Sequence, residues 1–97
     1  MIQRIVKMEF RPEEINSFIL LFEKYKDQIR SSDGCQSLKL LKGTQNSSVF
    51  FTYSIWKDQK YLDQYRNSKL FGEVWKQTKS KFAKRAEAWS TELLHHL

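Results

Sequence analysis

The chain has 97 residues, 40% of them hydrophobic and 14% aromatic, with one proline, three glycines and one cysteine. This bounds it to a single domain, 1–97, with its own core, and excludes a disordered, collagen-like or disulfide-stapled chain. The net charge of +6 fits either an anionic partner or a solvated surface, while the lack of an apolar run near the roughly 20 residues of a membrane span, or of a signal-peptide core, makes a cytoplasmic protein off the membrane the expectation.

Residues 2–10 alternate, with Ile2, Arg4, Val6, Met8 and Phe10 on one side and Gln3, Ile5, Lys7 and Glu9 on the other. This predicts a strand with one strongly apolar face, on which Arg4 is the odd member. Pro12 followed by Glu13 and Glu14 marks a helix start, because the N–H groups there lack partners and that dipole end is positive. Ile15, Phe18, Ile19, Phe22, Tyr25 and Ile29 recur at helical spacing and predict one apolar stripe through about residue 30, with Leu20 pointing away. Ser31-Ser32-Asp33-Gly34 then turns the chain.

Residues 35–43 read as a second strand and the polar run TQNSS as a turn. Residues 49–56, VFFTYSIW, predict a third strand that is apolar on both faces. An antiparallel sheet with one face in water should not look like this. Helices can cover one face, and a second copy of the chain is the simplest cover for the other. Asp58 suits the cap of a short helix carrying Tyr61, Leu62 and Tyr65. Asn67-Ser68 breaks it, and a further helix is expected from about 69 to 82, with Leu70, Phe71, Val74, Trp75, Thr78 and Phe82 in one arc. Most of the excess positive charge lies in 69–85, with Lys69, Lys76 and Lys79 opposite that arc and therefore toward solvent. Residues 86–93 alternate again as a last strand. The order β-α-β-β-α-α-β suits a ferredoxin-like α+β sandwich, with helices on one face of an antiparallel sheet.

Few motifs carry chemistry. The only histidines, His95 and His96, stand at the chain end, and Cys35 has no partner in sequence, so no metal site is expected. Cys35 reads as a small buried residue rather than a reactive thiol. No phosphate-cradling or nucleophile-elbow motif occurs. Thr52, Ser54 and Trp56 share one strand face, with Tyr65, Arg66 and Trp75 on the helices that follow. These groups would line an apolar cleft with a few hydrogen-bond donors, the usual make-up of a small-molecule pocket; ordinary core packing is the competing reading.

The chain resembles the antibiotic biosynthesis monooxygenase family of small dimeric α/β barrels. The resemblance is carried by Ile5-Val6-Lys7 with Phe10, by Asp33-Gly34-Cys35 leading into Leu38, and by Phe51-x-Tyr53-Ser54-x-Trp56. It continues in Tyr65-Arg66-x-Ser68-x-x-Phe71-x-x-x-Trp75 and Ala88-Trp89-Ser90. It implies a homodimer whose sheets pack face to face and a pocket between sheet and helices in each subunit. It also implies oxidation of a small phenolic or quinol-type aromatic without metal or flavin, the substrate anion reducing oxygen directly. Trp56 matches the family's pocket tryptophan, and Thr52 stands where anthrone-oxidising members carry an asparagine. Thr52, Trp56, Tyr61, Tyr65 and Trp75 are the expected substrate contacts. Arg4 and Tyr65 are the candidates for lowering the substrate hydroxyl's pKa. A cation on an apolar strand face needs a partner: a bound anion, an acid such as Glu92, or solvent at the sheet edge. A non-catalytic member that binds a small molecule or only dimerises is the alternative.

Two other readings fail on particular residues. A haem-degrading branch shares the fold but requires an axial histidine, and none occurs between Met1 and Leu94. An RNA-binding module has a similar element order, but GTQNSSV before Phe50 lacks the basic-glycine-aromatic pattern of the RNA-binding strand, so no nucleic-acid partner is expected.

Overall fold

Alternation makes β1 over Ile2–Phe10, and the computed structural model, which describes residues 1–97, pairs it on both sides. A short 3₁₀ turn at Pro12–Glu14 leads into α1, Ile15–Arg30. Then come β2 (Cys35–Lys42), β3 (Val49–Trp56), α2 (Gln59–Arg66), α3 (Lys69–Lys79) and β4 (Phe82–Glu92). The sheet order is β2-β3-β1-β4, antiparallel throughout. This is the ferredoxin-like α+β arrangement expected from the element order.

The inner face of the sheet carries Met8, Phe10, Phe50 and Trp56, all buried. Phe10 stacks on Phe18 of α1 with ring centroids 4.1 Å apart, and Phe50 meets both rings edge-on. The outer face carries Ile5, Leu41, Phe51, Tyr53, Ile55 and Trp89, joined by the register Ile5–Tyr53, Ile5–Trp89 and Leu41–Phe51. Leu41 and Trp89 are nearly half exposed there.

Three local expectations are corrected. In α1 the buried residues are Phe18, Leu21, Tyr25 and Ile29, while Ile19 is exposed; the helix is rotated so that Leu21, not Ile19, meets the sheet side. The second long helix ends at Lys79 rather than near 82. The Ser80 and Lys81 amides close the last turn onto the Lys76 and Thr78 carbonyls. Phe82 therefore opens β4 opposite Phe10, with centroids 5.4 Å apart, and the strand begins four residues earlier than its alternation suggests.

Gly34 holds the turn before β2 at φ +78, the left-handed region that glycine tolerates. A Cβ there would meet the Tyr61 ring at under 3.0 Å, so the bare backbone is what lets α2 settle against the sheet end.

Candidate active site

A cavity of about 270 Å³ lies between the inner face of the sheet and the helices. Its existence follows from side-chain size. Where β1 and β3 approach α1, phenylalanines fill the space. Toward the β4 edge the inner positions are Ala86 and Ala88, which line the cavity and leave it open. Arg4 and Val6 of β1, with Thr52 and Ser54 of β3, complete the sheet side.

The opposite wall is aromatic. Trp56 stacks on Tyr65 at 5.0 Å, Tyr65 meets Phe71 edge-on at 5.2 Å, and Phe71 stacks on Trp75 at 5.8 Å. Ser68 sets this wall. Its hydroxyl donates to the Tyr65 carbonyl at 2.6 Å and accepts from the Phe71 amide at 3.1 Å. One side chain thus closes α2 and caps α3. The spacing Tyr65, Ser68, Phe71, Trp75 puts three rings on one side and the shared cap between the helices.

The polar groups are few and specific. The Trp56 indole N–H donates to Ser54 Oγ at 3.0 Å, both residues being buried. The Thr78 hydroxyl donates to the Val74 carbonyl at 2.8 Å. Arg4 Nη1 donates to Ser90 Oγ at 3.0 Å. Neither Glu92 nor any other carboxylate pairs with Arg4. Partial burial, and secondarily the Arg66 charge, push the Arg4 pKa down. Burial, with a smaller contribution from Cys35, pushes the Tyr65 phenol well above its ordinary value, so it stays a neutral donor. No histidine, lysine, cysteine or carboxylate lines the cavity, and nowhere in the chain do three potential metal ligands converge.

Arg4, Thr52, Trp56, Tyr65 and Trp75 all line this one cavity. Tyr61 does not; its ring covers Gly34 and packs beside Trp56 and Leu62. Arg66 and Ser54, placed beside the cleft by the sequence but not counted among the substrate contacts, line the cavity as well. Cys35 is buried, and burial raises its thiol pKa, as suits an inert packing residue. No helix is long and apolar enough to cross a membrane.

The family model for Antibiotic biosynthesis monooxygenase matches residues 1–77. No curated protein matches the sequence. Among solved structures, a conserved protein from Methanosarcina mazei Go1 is 22% identical with a TM-score of 0.89, over 93% of this chain and 89% of that one. An antibiotic biosynthesis monooxygenase is 16% identical with a TM-score of 0.91, over 98% and 100%. Rv0793 from Mycobacterium tuberculosis is 17% identical with a TM-score of 0.89, over 98% and 96%. At such identities the likeness to these structures is one of fold.

Proposed function

Because the chain belongs to the antibiotic biosynthesis monooxygenase family, we propose that it is a cofactor-independent monooxygenase of a small phenolic or quinol-type aromatic held in this cavity. The observation that carries the reading is the cavity itself: an aromatic wall facing a guanidinium, Arg4, on the sheet. Its volume lies just under the roughly 300–1,000 Å³ of drug-sized ligand sites, which suits one or two rings.

The chemistry then rests on the substrate's electrons. The phenolic hydroxyl loses its proton, and the electron-rich anion reduces O₂. The new C–O bond gives a ring hydroperoxide, which loses water to leave a quinone carbonyl. With no carboxylate or imidazole in the cavity and Tyr65 held protonated, the proton passes to water. The side chains' task is to stabilise the anion left behind. A charge-assisted hydrogen bond contributes about 1.5–3 kcal/mol, or roughly one to two pKa units on the substrate hydroxyl. Arg4 and the Tyr65 hydroxyl are the donors, and Thr52 offers a third hydroxyl.

The same reading includes a homodimer through the outer sheet face. Ile5, Phe51, Tyr53, Ile55 and Trp89 cluster on that face, with Gln3, Lys7 and Lys39 between them, and a second copy would bury about 2,000 Å² or more. Light scattering at micromolar concentration tests this part: a monomer refutes it.

Oxygen uptake by metal-free, flavin-free protein with quinols, anthrones and catechols tests the activity. Turnover that survives chelation and falls on Arg4→Gln is expected. A requirement for added iron or flavin with every substrate refutes it. Binding without oxygen uptake would favour the non-catalytic alternative, which the missing proton acceptor also fits.

A further inference from the structure

The charge around the cavity is unbalanced. Arg4 and Arg66 both line it and lie near enough to repel each other. Neither takes part in an ion pair. Arg11, by contrast, sits between Glu13 and Glu14. The only side-chain partner of Arg4 is a neutral hydroxyl. Two like charges beside an apolar space disfavour the empty protein, and an anion of the right shape relieves both the repulsion and the lost solvation.

We propose, resting on the same cavity being the substrate site, that its ligands are anions before they bind: arenes that carry a carboxylate. The ring lies against Tyr65, Phe71 and Trp75, and the carboxylate reaches Arg4 and Arg66. A planar carboxylate matches the guanidinium fork and accepts two parallel hydrogen bonds from it. Charge count favours this over a neutral phenol. A phenol brings one negative charge, and only after deprotonation, to a cavity flanked by two positive ones. An aryl carboxylate supplies the first charge on entry, and the phenolate formed during turnover supplies the second. Arg66 is thereby a specificity residue: it distinguishes ligands by charge, while the aromatic wall accepts any flat ring of the right size.

Calorimetric titration of the whole protein with 2-naphthoate and with the neutral 2-naphthamide tests this. The two differ little in shape, and neither has a hydroxyl to be oxidised. Naphthoate should bind at least about tenfold tighter, the value of one charge-assisted hydrogen bond, and the gap should narrow as salt is raised. Arg66→Gln should remove about tenfold of the naphthoate affinity and leave the naphthamide affinity within about twofold. Arg66 is exposed at a helix end, so the variant should keep its fold, checked by its circular dichroism. Equal affinity for the two ligands, no measurable binding of either, or an Arg66→Gln variant that binds naphthoate like the parent overturns the proposal. Oxygen uptake with neutral quinols alongside equal binding would defeat the anion preference alone. Preferred naphthoate binding with no oxygen uptake from any phenol would defeat the monooxygenase reading alone.

Discussion

The hydrogen bond between Trp56 and Ser54 has a measurable consequence for how the cavity is built. Trp56 is 1% exposed and Ser54 7%, with the indole N–H 3.0 Å from the hydroxyl oxygen. Ser54→Ala strands that N–H in a nearly dry place, at a cost of about 1–3 kcal/mol. Taking 2 kcal/mol as the middle, the melting temperature of a domain this size should fall by about 8–16 °C. In a Trp56→Phe background no N–H remains to be stranded, and the same serine change should cost under about 0.5 kcal/mol. Urea unfolding followed by far-ultraviolet circular dichroism, at one fixed protein concentration, measures the four corners of this cycle. If Ser54→Ala costs the same in both backgrounds, the N–H is not satisfied by Ser54 but reaches the cavity, and it must then be counted among the donors a ligand meets.

Filling the cavity should trade function for stability: Ala88→Leu is expected to keep or raise the melting temperature while abolishing ligand binding by calorimetry, and a variant that still binds would show that Ala88 does not bound the site. Gly34→Ala should destabilise by about 1–2 kcal/mol for the left-handed backbone alone, and more because its Cβ meets the Tyr61 ring; urea unfolding that shows no loss would contradict the packing. Tyr65 has its pKa raised by burial, so the folded state keeps a proton that the unfolded chain releases near pH 10. Stability is therefore unaffected below about pH 10 and falls as pH rises above it. Tyr65→Phe should weaken that alkaline loss in a pH series of urea midpoints.

Much of this architecture was legible because it rests on period. The alternation of β1 and the two-faced composition of β3 set the sheet, and the run from Tyr65 to Trp75 set the aromatic wall. What periodicity could not resolve is which edge of a stripe turns inward. Ile19 and Leu21 flank the same arc of α1, and only the way the helix crosses the sheet buries Leu21. Phe82 continues the helical spacing of Val74 and Thr78, so the turn at Ser80 and Lys81 was hidden behind a pattern that fitted. The cleft was legible from Thr52, Ser54, Trp56, Tyr65, Arg66 and Trp75, but its β4 side was not. Ala86 and Ala88 read as ordinary alternation, since a hole is made by what side chains lack and depends on what stands opposite. How α2 and α3 are joined through Ser68 was not legible either, since one side chain bonding to both helices is a matter of geometry rather than of composition.

That link also bears on motion. The ring-bearing wall hangs on helices of eight and eleven residues, lengths that do not hold in water without packing. What fastens them is Leu62 and Tyr65 of α2 against Trp56 on the sheet, and Leu70 and Val74 of α3 against the buried face of α1, leaving the cavity itself without contacts. The empty protein is thus weakest over 59–79, and its backbone amides there should exchange with deuterium sooner than those of β1 and β3. A bound arene adds the missing contacts and couples the two helices to the sheet, so occupancy would appear as slower exchange along the whole segment, residues far from the ligand included.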